Sequence, residues 1–136
     1  MNKLKKRSDC PISSALDFVG DKWSLLIIRD IILSGKNTYN EFLRSDEKIA
    51  TNVLADRLSM LEEAGILVKE DHPDSKAKYF YRLTKQGTDL LPALVEIILW
   101  SDKYLPISRQ AKEFAKQLRK NKYGIIKQIS SDLKKG

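Results

Sequence analysis

The chain has one cysteine and one histidine in 136 residues. A single cysteine excludes an intrachain disulfide and a cysteine-based zinc site, and His72 alone cannot make a metal site. No apolar run reaches the roughly 18 residues that a membrane span needs. The first ten residues are polar and basic, with no signal-type cleavage pattern after them, so the expected compartment is the cytoplasm. There is no glycine-rich phosphate loop and no pair of metal ligands, and the lone cysteine and histidine are far apart in sequence. The chain therefore reads as no enzyme, with no cofactor and no metal. No repeat of solenoid period is present. What remains is the composition of one ordinary domain, 42% hydrophobic and 32% charged, long enough to bury a core.

Charge is unevenly placed. The formal net is +7. Residues 103–136 hold ten lysines and arginines against Glu113 and Asp132, a net of +8, which leaves −1 for residues 1–102. A smaller basic cluster stands at Lys3, Lys5, Lys6 and Arg7. A basic protein invites a nucleic-acid reading, but the excess here lies in the tail, so the argument has to rest on architecture.

That architecture is written between Thr38 and Thr84. Thr38-Tyr39-Asn40-Glu41 is a capping box and opens a short helix over 39–44. Ser45 to Lys48 form a turn. Val53, Leu54, Leu58 and Leu61 then recur at steps of three and four, which predicts a helix over 50–63. Asn52, Ala55, Asp56, Ser59 and Glu63 fall on its opposite face. Gly65 supplies a left-handed stop. Residues 66–70 and 79–83 are β-branched or aromatic enough to pair as strands, with a charged turn from His72 to Lys78 between them. Two helices joined by a short turn and followed by a hairpin form a winged helix-turn-helix, mainly α with a small β wing. Its second helix can enter a major groove while the wing follows the backbone.

Further helices flank this unit. Pro11 suits a first helical position, Ile12, Leu16 and Val19 give one apolar face, and Gly20 ends the helix. Asp21 is an N-cap for an almost wholly apolar helix over 22–33. After the hairpin, Thr84 caps a long helix carrying Leu90, Leu91, Leu94, Val95, Ile98, Leu99 and Trp100, in which Pro92 makes a kink or tightens the first turns. Pro106 ends that helix or starts the next. Ile107 to Leu118 and, after Gly124, Ile125 to Leu133 repeat at helical spacing. These stripes exceed what one winged domain can cover, so a homodimer is expected. Its seam would use Ile12, Leu16, Leu94, Ile98, Trp100, Phe114 and Leu118. The expected division is a winged domain with dimer helices over 1–104 and a basic helical extension over 105–136.

Cys10-Pro11-Ile12, Leu16-Asp17, Gly20-Asp21-Lys22-Trp23 and Leu26-Ile27-Ile28-Arg29-Asp30 resemble the opening of the HxlR-type regulators. Ile49 to Leu58, Leu61-Glu62, Gly65-Ile66, Tyr81-Arg82-Leu83-Thr84 with Gly87, Leu91-Pro92 and Trp100 continue the likeness in order and spacing over about residues 10–104. The resemblance implies a dimeric winged-helix protein, related in fold to MarR-type regulators, that binds operator DNA and controls nearby genes. Relatives often carry serine where Ala50 stands, so here Thr51 would cap the second helix, or Asp46 a preceding turn. Some relatives sense oxidants or electrophiles through a cysteine placed like Cys10.

The candidate DNA contacts follow. Asn52 can pair with adenine, and Thr51 and Ser59 can bond a base edge or a phosphate; Ala55 shares their face. Thr38, Tyr39 and Asn40 open the preceding helix, where phosphate contacts are usual, although Tyr39 also reads as a core-edge residue. Ser75, Lys76 and Lys78 stand in the wing for phosphate or minor-groove contact, against the alternative of a solvated turn. Arg57 either clamps a phosphate or pairs internally with Glu41 or Asp30. Asp56 is better suited to a neighbouring cation than to DNA. Cys10, at a helix start beside Lys5, Lys6 and Arg7, is either a thiol sensor or a small packed residue. An apolar pocket near Phe18, Trp23 and Trp100 is a second place for a small-molecule effector. Three functions stay open: a repressor acting as a homodimer on an inverted-repeat DNA operator, a dimerising module without specific DNA binding, and a redox regulator working through Cys10. Membrane binding by the basic tail ranks below these.

Overall fold

The computed structural model describes residues 7–135, excepting the side chains of residues 75–77. The described residues form two compact units that divide between Gly87 and Thr88.

The first unit begins with α1 (Pro11–Val19) and α2 (Ser24–Ser34). Pro11 stands in the first turn of α1, where its missing N–H costs nothing. No residue of α1 is buried, and Ile12 and Leu16 are 70% and 52% exposed. Asp21 accepts hydrogen bonds from the Trp23 and Ser24 amides, each at 3.0 Å, and from Ser24 Oγ at 2.6 Å. It caps as expected, but the regular helix starts at Ser24. Gly35, with φ 66°, closes α2 in the left-handed region that glycine enters without steric cost. Next come α3 (Tyr39–Leu43) and α4 (Thr51–Glu63). Burial of Leu54, Leu58 and Leu61 anchors α4, each side chain contributing about 1.5–3 kcal/mol. Ile27, Ile28, Phe42, Ile66 and Leu67 complete this core.

The hairpin pairs β1 (Leu67–His72) with β2 (Ser75–Leu83), antiparallel, from Leu67 opposite Leu83 to Asp71 opposite Tyr79, with a register irregularity at Asp71/His72. The turn is much shorter than the expected span from His72 to Lys78. Ser75 pairs with His72, and residues 76–78 bulge between that pair and the Asp71–Tyr79 pair, as an edge open to solvent allows. The Tyr81 amide also donates to the Asn37 carbonyl at 2.8 Å, which ties β2 to the approach to α3. Thr84 Oγ1 accepts from the Gly87 amide at 3.1 Å and caps only a short α5 (Lys85–Thr88). Gly87 is required for space, since a Cβ there would lie 2.4 Å from the Ile66 carbonyl oxygen.

The second unit holds α6 (Leu91–Tyr104) and α7 (Arg109–Lys135). Pro92 sits in the first turn of α6 and makes no kink, because the helix it was expected to bend begins there. Pro106 lies between the two helices. The expected pair of tail helices is present within α7, the two segments meeting at a break at Asn121, with φ −153° and ψ 58°. The break precedes Gly124 because the Asn121 side chain accepts from the Gly124 amide at 3.3 Å, starting the second segment as a cap does. Leu91, Leu94, Val95, Ala115 and Leu118 are buried. Asp102 accepts ion pairs from Arg119 at 2.5 Å and Lys112 at 3.5 Å, and Glu96 pairs with Lys122 at 2.7 Å. The Arg119 hydrogen bond holds the Asp102 carboxyl below its ordinary range, and Glu96 raises Lys122.

Candidate nucleic-acid interface

The site is built from the turn outward. Thr38 Oγ1 accepts from the Glu41 amide at 3.3 Å, and Glu41 accepts from the Asn37 and Thr38 amides at 2.9 and 3.1 Å, which completes the capping box. The Asn37 amide leads in holding the Glu41 carboxyl below its usual range. Tyr39 donates its hydroxyl to the Thr51 carbonyl at 2.9 Å, so the starts of α3 and α4 are tied together.

A polar cluster beneath fixes the turn between them. Ser45 is buried; its hydroxyl donates to buried Asp30 and accepts from Lys36 at 2.9 Å. Arg29 donates to Asp30 at 2.7 Å and, through two nitrogens, to Glu47 at 2.8 and 2.9 Å. That fork holds the Glu47 carboxyl down at about 2 and raises the guanidinium. Every polar atom of a buried turn needs such a partner. Lys48 takes φ 57°, closing the turn in the left-handed region without a glycine.

On α4, Thr51, Asn52, Ala55, Asp56 and Ser59 are all exposed, and the last four share one face. Ala50 is the N-cap and has no side-chain cap bond; neither Thr51 nor Asp46 replaces the missing serine, because Thr51 already lies inside the helix. Arg57 pairs with neither Glu41 nor Asp30, whose carboxylates are engaged by the capping box and by Arg29 and Ser45. Its partners are Asp56 at 2.6 Å and Asp21 at 3.4 Å. The Asp56 hydrogen bond leads in raising its pKa. Burial pushes Asp21 up, but the Ser24 and Trp23 hydrogen bonds and the Arg57 charge outweigh it and bring the carboxyl down.

The wing faces α3 across a cleft of about 560 Å³. Thr38, Tyr39, Asn40 and Arg44 line one side, and Lys69, Lys78, Tyr79 and Tyr81 the other. Burial raises the Tyr81 hydroxyl. Lys69 lies over the Tyr79 ring, 4.4 Å from its centre, and Arg82 pairs with Glu70. His72 is half-buried; its ring lies 4.4 Å from that of Phe80 and accepts from the Asp74 amide at 3.0 Å. The side chains of Ser75 and Lys76 lie outside the described residues, as do Lys3, Lys5 and Lys6. Sequence reasoning passed over Arg44, Lys69 and Tyr79. Their signal was weak, because only the hairpin register places Lys69 and Tyr79 opposite α3.

The other candidates are scattered. Cys10 is the exposed N-cap of α1; Arg7 turns away to pair with Asp17 at 2.5 Å. Trp23 lines a cavity of only about 10 Å³, with Leu26, Ile27 and Phe42, room for about one water. Leu94 and Leu118 are 8% and 0% exposed, so they are spent inside the chain and offer no seam. Ile98 and Phe114 are half-buried. Trp100, at 57%, is exposed, as are Ile97 and Tyr104.

A helix pair with a fixed turn, an exposed polar face on the second helix and a basic hairpin beside the first define a winged helix-turn-helix of the MarR-like kind found in transcriptional regulators. The family model described as HxlR-like helix-turn-helix matches residues 18–109. The chain belongs to the HxlR family of helix-turn-helix transcriptional regulators. It is 35% identical over 95 residues to an HTH-type transcriptional regulator of Mycobacterium tuberculosis, a stretch covering 70% of this chain and 59% of that protein. The chain thus spans under two thirds of that relative's length. It is 31% identical over 96 residues to the HTH-type transcriptional regulator YodB of Bacillus subtilis, covering 70% of this chain and 85% of YodB. The structure of the redox regulator HypR in its oxidized form matches with a TM-score of 0.63 and 29% identity, covering 72% of this chain and all of that one. Among the described residues no helix is long and apolar enough to cross a membrane.

Proposed function

We propose that the protein is a sequence-specific DNA-binding repressor that acts in the cytoplasm as a homodimer on an inverted-repeat operator. The observation that carries this reading is the exposed face of α4, Asn52, Ala55, Asp56 and Ser59, held on a turn whose buried polar atoms are paired. Asn52 is suited to an adenine edge, Ser59 and Thr51 to a base or phosphate, and the Ala55 methyl to a thymine methyl. Tyr39, Asn40, Arg44, Lys69, Lys76 and Lys78 would receive the backbone. Arg57, occupied by Asp21 and Asp56, braces α4 from within. Ile12, Leu16 and Trp100, more than half exposed, support a subunit seam. Selection of bound fragments from genomic DNA tests the reading. One enriched inverted repeat, bound far more tightly than random duplex, is expected. A protein that dimerises and prefers no sequence would be an interaction module instead.

A second reading concerns the input. Cys10 is exposed at the start of α1, beside the apolar residues assigned to the seam, and a similar protein is named a redox regulator. Oxidation of the thiol, or its capture by an electrophile, would then alter operator binding. Cys10→Ser should bind DNA normally and lose the response to diamide. Equal responses in both proteins would show that the Cys10 thiol is not the sensor.

A further inference from the structure

The cations of α7 fall into two sets. Lys112, Arg119 and Lys122 are tied to Asp102 and Glu96 of α6. Arg109, Lys116, Lys120, Lys127, Lys134 and Lys135 are exposed and have no ion-pair partner among the described residues. The unpaired set is ordered. At about 100° per residue, Arg109, Lys116 and Lys120 fall within about 40° of one another on the first segment. Beyond the break at Asn121, Tyr123, Lys127 and Lys134 do the same, again within about 40°. Tyr123 is 79% exposed, with Lys122 Nζ 5.6 Å from its ring centre. Opposite the first stripe, Ala115 and Leu118 are buried; on the second segment Ile125, Ile126 and Ile129 are half-buried.

We propose that these two stripes are a sequence-independent contact surface for the phosphate backbone of duplex DNA. The inference rests on the DNA-binding reading above. Backbone attraction grows with the number of phosphates neutralised. Residues 1–102, which hold the whole helix-turn-helix and wing, net −1, whereas residues 103–136 net +8. The family match stops at residue 109, where the first stripe begins. So α7 adds to a common reading unit the charge that this unit lacks. A membrane surface fits less well. A helix lying in lipid needs large apolar residues on its open face, and here the isoleucines are partly covered while the stripes carry lysines, Arg109 and one tyrosine.

The experiment compares the full chain with a variant carrying Lys116→Gln, Lys120→Gln, Lys127→Gln and Lys134→Gln, checked for fold by circular dichroism. Affinity for random duplex and for the selected operator is measured across a salt series. The steepness of log K against log salt should fall by about 2–4 for each bound subunit, near 0.9 for each lost phosphate contact. Affinity should drop by the same factor on both DNAs, leaving their ratio unchanged. Unchanged slopes would overturn the proposal, and so would unchanged slopes accompanied by loss of binding to phosphatidylserine vesicles, which would assign the stripes to a membrane. Wild-type binding to random duplex with no preferred operator would overturn only the operator reading, and the slopes on random duplex would still decide this one.

Discussion

Asn52 is exposed at the start of α4, and no hydrogen bond occupies its amide among the described residues. Asn52→Ala should cost about 1–3 kcal/mol on the operator and relax its sequence preference. Equal losses on operator and random duplex in a binding titration would show that it does not read a base. Glu47 acts on stability instead. Folding lowers its carboxyl from an ordinary 4.5 to about 2, through Arg29. The ionised form therefore contributes stability that is complete above the unfolded value and lost as pH falls from about 4.5 toward 2. Glu47→Gln should flatten that part of a melting-temperature profile against pH; an unaltered profile would assign the acid loss elsewhere. Residue pairings were the hardest features to foresee. Two arginines and three aspartates within reach in sequence do not reveal that Asp30 goes to Arg29 and Ser45 while Arg57 goes to Asp21 and Asp56.

Elements were legible where a strong local signal set them. The capping box at Thr38 fixes α3, and the stripe of Leu54, Leu58 and Leu61 fixes α4, because each relies on contacts a few residues apart. Signals that depend on distant partners were lost. The β2 strand extends to Ser75 because its backbone finds β1, not because its residues favour strands. The 560 Å³ cleft between α3 and the wing needs the fold itself, so Arg44, Lys69 and Tyr79 were missed. The N-cap at Ala50 yields a prediction at this scale. Ala50→Ser should supply the absent cap bond and stabilise the chain by roughly 0.5–2 kcal/mol, read as a rise in melting temperature. No rise would mean that the φ −69°, ψ 148° backbone there does not present a serine hydroxyl to the following amides.

For the whole molecule, the winged architecture and the family were both visible in the order of the motifs, and the match over residues 18–109 covers that stretch. Which apolar residues are buried within the chain was not. Leu94 and Leu118 read as seam residues because an apolar stripe has the same pattern whether a helix of the same chain or a second chain covers it. Their burial leaves Ile12, Leu16 and Trp100 to carry the proposed seam. The central claim is that two α4 helices read two half-sites held at a fixed separation of about one helical turn, roughly 34 Å, or a multiple of it. The most direct measurement is affinity for the selected operator after about five base pairs, half a turn, are inserted between its half-sites. The insertion turns the second half-site to the opposite face of the duplex, so binding should fall to the level of random DNA. Undiminished affinity for the lengthened operator would contradict the account.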